Sequence, residues 1–319
     1  MRAFIFPGQG SQAVGMGVAL AAASPHAREV FEEVDDALGQ SLQKLMAEGP
    51  ADELVLTENA QPAIMANTIA TLRVLEREGG VRLADKADYV AGHSLGEYSA
   101  LCAAEALDLA TTARLLKTRG RAMQAAVPVG EGAMAALLGA DVEKAGVIAG
   151  AAVDAILAEG GEALVCTVAN DNDPTQVVLS GHRAAVERAV ALAKEMGAKR
   201  ALLLPVSAPF HCALMEDAAV AMEAALLDAD LRAPLVPVFA NVDAAAVAEP
   251  GAIRHLLVQQ VTGRVRWRES VLAMAAAGVT EFVEFGGKVL APMVKRIAPD
   301  VEAVSVVSMH DVEALVKRL

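Results

Sequence analysis

Tyr89-Val90-Ala91-Gly92-His93-Ser94-Leu95-Gly96 passes from a short apolar run into a helix-like stretch, Glu97 to Leu107. Strand, Gly-x-Ser-x-Gly, helix is the setting in which a serine stands on a sharp turn at the top of an α/β sheet. The turn calls for glycines because a side chain at either place crowds the adjoining strand or helix. The serine then opens a helix, where free N–H groups stabilise developing negative charge. The stretch therefore predicts an α/β fold and a nucleophile, Ser94.

The pattern continues on both sides. Arg2 to Phe6 reads as a buried strand stopped by Pro7-Gly8. The loop Gly8-Gln9-Gly10-Ser11-Gln12 follows. Formally, Gly8-x-Gly10-x-x-Ala13 resembles a dinucleotide fingerprint, but that motif needs an acidic residue at the end of a second strand. Glu32, Glu33, Asp35 and Asp36 fall instead in a helix-like stretch, Pro25 to Leu38. The loop is better read as a backbone donor site or a tight turn. Helices are expected over Pro62 to Glu78 and Leu109 to Ala126, the latter carrying Lys117, Arg119 and Arg121.

Beyond Pro128 the rhythm changes. Ala133 to Leu138 reads as a strand, Val142 to Ala158 as a helix, and Ala163 to Ala169 and Gln176 to Ser180 as strands. The polar run Asn170-Asp171-Asn172-Asp173-Pro174 is expected to be the turn between them. A helix from Arg183 to Met196 and a strand from Arg200 to Leu204 complete β-α-β-β-α-β, the ferredoxin-like order. Two domains are expected: residues 1–127 with 205–319, and an inserted unit over 128–204. Strands at Val236 to Ala240, Glu281 to Phe285 and Val304 to Val307 alternate with helices, as in a mostly parallel covered sheet. Ala244 to Ala248 reads as loop or helix filler.

Composition excludes several classes. Of 319 residues, 55% are hydrophobic and 21% charged, so a sizeable core is expected. Aromatics make up 3%, which leaves Ala, Val, Leu and Met to build that core. A net charge of −13 opposes nucleic-acid binding. No apolar run reaches the ~20 residues of a membrane span, and Met1 to Phe6 meets Pro7-Gly8 too early for a signal peptide. Cys102, Cys166 and Cys212 have neither disulfide-framework nor zinc spacing, so a cytoplasmic protein with buried thiols is expected. No metal site is expected.

Ser94 needs a base. His93 adjoins it but should point away across the turn. His26 and His182 stand at helix starts, and His255 should be packed within a helix. Two candidates remain. His211 lies in a loop after a strand, and His310-Asp311 suits the hydrolase order of serine, acid, histidine.

Six blocks stand out together: Phe6-Pro7-Gly8-Gln9-Gly10-Ser11-Gln12, Gly92-His93-Ser94-Leu95-Gly96-Glu97-Tyr98, Arg119-Gly120-Arg121-Ala122-Met123-Gln124, Gln176-Val177-Val178-Leu179-Ser180-Gly181, Phe210-His211-Cys212-Ala213-Leu214-Met215 and Phe285-Gly286-Gly287-Lys288. In combination they resemble the malonyl-CoA:acyl carrier protein transacylase family. The resemblance implies an α/β-hydrolase-like large domain with a parallel sheet and an inserted ferredoxin-like small domain. It implies ping-pong transfer of malonyl from malonyl-CoA to the pantetheine thiol of acyl carrier protein, in fatty acid biosynthesis, with no bound cofactor. Ser94 would be the nucleophile and His211 the base, oriented by the backbone carbonyl of Gln260. Backbone N–H groups of Gln9 and Leu95 would form the oxyanion hole, and Arg119 would hold the malonyl carboxylate. Phe210, Gln176 and His93 are further candidates for substrate contact.

Family members are usually monomers, and a monomer is expected. An acidic carrier protein facing a chain at −13 would need a local basic patch: Lys194, Lys199 and Arg200, or Lys288, Lys295 and Arg296. The rival readings are a free-standing polyketide-synthase acyltransferase and a serine esterase or thioesterase using Ser94.

Overall fold

The computed structural model describes residues 1–319. Ten strands form two sheets: β1 (Arg2–Phe6), β2 (Tyr89–Gly92), β3 (Gly132–Leu138), β4 (Cys166–Asp173), β5 (Gln176–His182), β6 (Arg200–Leu203), β7 (Val238–Ala240), β8 (Ala245–Val247), β9 (Glu281–Phe285) and β10 (Glu302–Val306). The larger sheet has the order β10-β9-β1-β2-β7-β8. It is parallel except for the edge pair β7–β8. The smaller is antiparallel, in the order β4-β5-β3-β6.

The two-residue period of a strand explains how the large sheet is covered on both faces. Phe4, Phe6, Val90 and Phe285 enter one hydrophobic core, whereas Ala3, Ile5, Ala91 and Phe282 enter another on the opposite face. The same alternation in β3 sends Ala133, Ala135 and Leu137 into a separate core under the smaller sheet, and Met134 and Ala136 toward the main core. One strand therefore serves both halves of the molecule.

Several expectations are corrected. Asn170 to Asp173 is not a turn: these residues belong to β4, are all buried, and sit on a strand with two register shifts. The turn follows at Pro174-Thr175, where Asp173 Oδ1 accepts from Thr175 N–H at 2.8 Å and from its Oγ1 hydroxyl at 2.7 Å. Asp171, Asn172 and Asp173 find tertiary partners for their side chains, so nothing drives them into a loop. Asp171 pairs with Arg268 at 2.8 Å and Asp173 with Arg296 at 2.8 Å. Ala245–Val247 is a short antiparallel edge strand rather than filler. The helix expected from Pro62 begins at Thr57 and runs through that proline. His255 is exposed, not packed. Short helices at Val18–Ala23 and Leu42–Glu48 had no clear pattern in the sequence. No helix is long and apolar enough to cross a membrane.

Candidate active site

The turn after β2 shows why this pentapeptide carries glycine at both ends. A Cβ on Gly92 would lie 1.9 Å from the Gly96 carbonyl, and one on Gly96 would lie 2.2 Å from the Phe6 carbonyl oxygen. Strand, turn and helix can approach this closely only without those side chains. Ser94, between them, is held at φ 54°, ψ −112° and caps the helix Leu95–Ala103. His211 also has a positive φ, 59°. Non-glycine residues persist there only when their surroundings over-determine them. For Ser94 the surroundings are Asn241: its Oδ1 accepts from Ser94 N–H at 2.7 Å, and its Nδ2 donates to the Gly92 carbonyl at 2.7 Å.

Ser94 Oγ lies 2.8 Å from His211 Nε2. On its other edge, His211 Nδ1 is 2.8 Å from the Gln260 carbonyl and 3.1 Å from that of Gly263. Two carbonyl acceptors require Nδ1 to carry the hydrogen, so Nε2 has the lone pair and the serine hydroxyl donates to it. Burial, together with the nearby Arg119 guanidinium, pushes the imidazole pKa down to about 3. The ring is therefore neutral and basic at its outer nitrogen. His310, the rival, is exposed on the C-terminal helix and is not among the cleft-lining residues.

Arg119 is 1% exposed, which is unusual for a guanidinium. Its Nη1 donates to Gln61 Oε1 at 2.8 Å; its Nη2 donates to Gln260 Oε1 at 2.9 Å and to Ser94 Oγ at 3.1 Å. Nε has no partner. Every acceptor is neutral. A buried cation without a carboxylate is costly, and its charge is available to an incoming anion.

Gln9, His93, Ser94, Leu95, Arg119, Gln176, Phe210 and His211 all line one cleft of about 340 Å³. Gln260 lies beneath it, fully buried. The loop carrying Gln9 presses on the elbow: a Cβ on Gly8 would meet the His93 carbonyl oxygen at 2.6 Å. Leu95 N–H is at the first helical position, without an intrahelical acceptor. His93 does turn away from Ser94, and its Nε2 lies 2.8 Å from Asn172 Oδ1 of β4.

Four polar residues of the site escaped sequence reasoning. Gln61 sits one residue before the proline where the sequence pattern places the helix start, and inside the helix Thr57–Arg77 that forms. Thr57, Asn241 and Glu97 carry no short-range signature. Thr57 Oγ1 donates to Gln9 Oε1 at 3.1 Å and accepts from Gln61 Nε2 at 2.8 Å, linking the glycine loop to Arg119. Met123 and Met134 complete the apolar wall.

A serine on a strand-to-helix elbow of a parallel sheet, paired with a buried histidine, defines the class of enzymes that form an acyl-serine. The acyl transferase domain family matches residues 3–291. The malonyl CoA-acyl carrier protein transacylase of Escherichia coli (strain K12) is 46% identical over 302 residues, covering 94% of each chain. The crystal structure of acyl-carrier-protein-S-malonyltransferase from Bartonella henselae superposes with a TM-score of 0.94 at 52% identity, over 99% of this chain and 98% of that one. A malonyl-transacylase solved in complex with its type II PKS acyl-carrier protein superposes with a TM-score of 0.93 at 39% identity, over 100% and 99%. The chain belongs to the malonyl CoA-acyl carrier protein transacylase family.

Proposed function

We propose that this protein moves a malonyl group from malonyl-CoA to the pantetheine thiol of acyl carrier protein in fatty acid synthesis, through a malonyl ester on Ser94. One observation carries the reading. The hydroxyl of Ser94 lies within hydrogen-bond reach of both a neutral imidazole and a buried guanidinium that lacks a carboxylate. The first activates the serine, and the second suits an acyl group ending in a carboxylate.

Ser94 Oγ attacks the thioester carbonyl as its proton passes to His211 Nε2. The carbonyls of Gln260 and Gly263 hold the ring in the required tautomer. Gln9 and Leu95 N–H groups face the oxyanion of the tetrahedral intermediate. Its collapse breaks the C–S bond, and the departing CoA sulfur takes the proton from His211. The carrier-protein thiol then gives its proton to His211 and attacks the ester, and the serine oxygen recovers that proton on leaving. Arg119 grips the malonyl carboxylate throughout, in a fork that lysine cannot supply. Phe210 and Gln176 bound the acyl arm. His93, bonded to Asn172, lines the cleft beside the elbow.

The order β4-β5-β3-β6, with a core of its own, supports reading residues 128–204 as an inserted ferredoxin-like unit on a hydrolase-like large domain. Acyl carrier protein is the expected partner of a monomeric enzyme. Arg296 is occupied by Asp173, and Lys295 Nζ donates to the Val301 carbonyl at 2.6 Å, whereas the exposed side chains of Lys194, Lys199 and Arg200 make no hydrogen bond or ion pair. The cluster Lys194, Lys199 and Arg200 is thus the better candidate for an acidic partner.

Intact-mass measurement after mixing with malonyl-CoA tests the reading. A malonyl adduct is expected on wild type and none on Ser94→Ala; an unmodified wild type would overturn it. Arg119→Ala should lower kcat/KM for malonyl-CoA by about 100-fold, the loss of two charge-assisted hydrogen bonds, and shrink the preference over acetyl-CoA. The similarity to a type II PKS transacylase favours one second reading, service to a polyketide carrier protein. Transfer to fatty-acid and polyketide carriers in competition separates the two.

A further inference from the structure

Gln260 offers more than its carbonyl. Its side-chain amide is fully buried among Ser94, Glu97, Arg119 and Asn241. An amide can sit in two orientations, exchanging its acceptor and donor ends. Here Nε2 donates to Glu97 Oε2 at 2.8 Å and to the Ser94 carbonyl at 3.0 Å, which leaves Oε1 to accept from Arg119 at 2.9 Å. Glu97 is 2% exposed, and the same Oε2 accepts from Asn241 N–H at 2.9 Å. A carboxylate oxygen cannot donate, so it admits only this orientation of the amide. Reversed, the amide would turn a donor against the guanidinium. Glu97 also forms no ion pair with Arg119: the amide stands between them, so the guanidinium is oriented without being neutralised.

We propose that Glu97 is a positioning residue for carboxylated acyl groups: through the Gln260 side chain it fixes the Arg119 guanidinium where the acyl carboxylate will meet it. The proposal rests on Arg119 receiving that carboxylate.

Burial raises the Glu97 pKa to about 7 against the bonds from Asn241 and Gln260 and the charge of Arg119; Asp243 adds to the rise. The ionisable groups around it are Tyr98 on its own helix, Arg119 on the Leu109–Ala125 helix and Asp243 in the turn after β7; the Pro250–Thr262 helix presents only the amide of Gln260. Protonation leaves Oε2 able to accept, since the other oxygen can take the proton. Orientation therefore survives below pH 7. Above it, Glu97 gains a negative charge one amide away from Arg119 and opposes a second carboxylate.

The test compares malonyl-CoA with acetyl-CoA in wild type, Glu97→Gln, Glu97→Leu and Arg119→Ala. Glu97→Leu should lose at least about tenfold in kcat/KM for malonyl-CoA, the value of one charge-assisted hydrogen bond, and distinctly less for acetyl-CoA, which shares only the loss of the Asn241 N–H bond. The wild-type KM for malonyl-CoA should rise severalfold from pH 6 to pH 8. In Glu97→Gln, which keeps an acceptor oxygen but no charge, it should stay flat at the low-pH value. Acetyl-CoA, with the same CoA phosphates, controls for their ionisation. Equal losses for both acyl groups in Glu97→Leu, or an unchanged KM profile in Glu97→Gln, overturn the proposal. If Glu97→Leu does not fold, the Glu97→Gln profile decides alone. If Arg119→Ala keeps its malonyl preference, the reading of Arg119 has failed; if it loses the preference while Glu97→Leu keeps it, only the role of Glu97 has failed.

Discussion

His211 and Arg119 show what burial does to single side chains. Each is a base or cation removed from water, and each has its pKa lowered first by desolvation. For His211 the consequence can be measured. A histidine near 6.5 loses its lone pair as pH falls through that value, whereas one near 3 keeps it. Modification of Ser94 by an uncharged organophosphorus probe should therefore proceed at an undiminished rate from pH 8 to about pH 5. A fall centred on 6.5 would mean that the imidazole is not desolvated in this way. The stability sign follows from the same shift. The unfolded chain binds a proton at this histidine below 6.5 and the folded chain does not, so His211 costs stability as pH falls from 6.5 toward 3. At this scale the sequence was eloquent about residue types and nearly silent about pairing. From position alone His211 and His310 stayed open, because what separates them is the pair of carbonyls at Gln260 and Gly263 that meets one ring and not the other. Likewise Arg119 differs from Lys117 and Arg121 by its surroundings. Lys117 and Arg121 both pair with Glu58, at 3.0 Å and 2.9 Å, and only Arg119 turns to the cleft without an anion.

Among elements, the elbow was the most legible because its constraint is local. A side chain on Gly92 would strike the Gly96 carbonyl within one turn, and one on Gly96 would strike the end of the adjoining strand, so any sequence making that turn must show both glycines. What clamps the turn was hidden, because Asn241 reaches it from the end of β7, 147 positions from Ser94. Asn241→Ala should leave the Ser94 N–H and the Gly92 carbonyl buried without partners. The cost expected is about 1–3 kcal/mol for each, seen as a lower midpoint in urea unfolding. Ser94 acylation should fall with it as the serine relaxes from its positive φ; an unchanged rate would mean that the helix alone sets the serine. β4 is the opposite case. Its Asn and Asp residues favour turns by their local hydrogen bonding, but Arg268, Arg296, His93 and the backbone of Val265 satisfy those groups from other parts of the chain. Local preference lost to tertiary partners, and such partners have no signature in a window of neighbours.

For the molecule as a whole, the pattern of apolar segments revealed every strand except β8 and the order in which the chain visits them. It did not reveal how the two sheets are joined. That junction is β4: Asp171 and Asp173 are almost wholly buried, and each pairs with an arginine on a helix covering the large sheet. Removing one partner of a buried pair leaves an uncompensated charge, which typically costs about 3–5 kcal/mol. Arg268 is 27% exposed, so water screens part of this. Arg268→Met should lose about 2–3 kcal/mol in urea unfolding, and adding Asp171→Asn should restore part of the loss. A double variant no more stable than the single would show that the pair does not join the halves.

On the mechanism proposed here, the hydrogen bonds behind His211 also decide which acceptor can collect the acyl group. Two neutral carbonyls, rather than a carboxylate, stand behind the ring. Nothing anionic in that position rewards the ring for becoming an imidazolium, so the base is weak. A thiol ionises near 8.5 and gives up its proton readily to a weak base, whereas a hydroxyl near 15.7 must be held in line with that base, as Ser94 is at 2.8 Å and a passing water is not. Chemoselectivity for sulfur over water is thus set by the acidity of the incoming nucleophile. The ester can persist in a wet cleft, outlasting every collision with solvent until a thiol arrives.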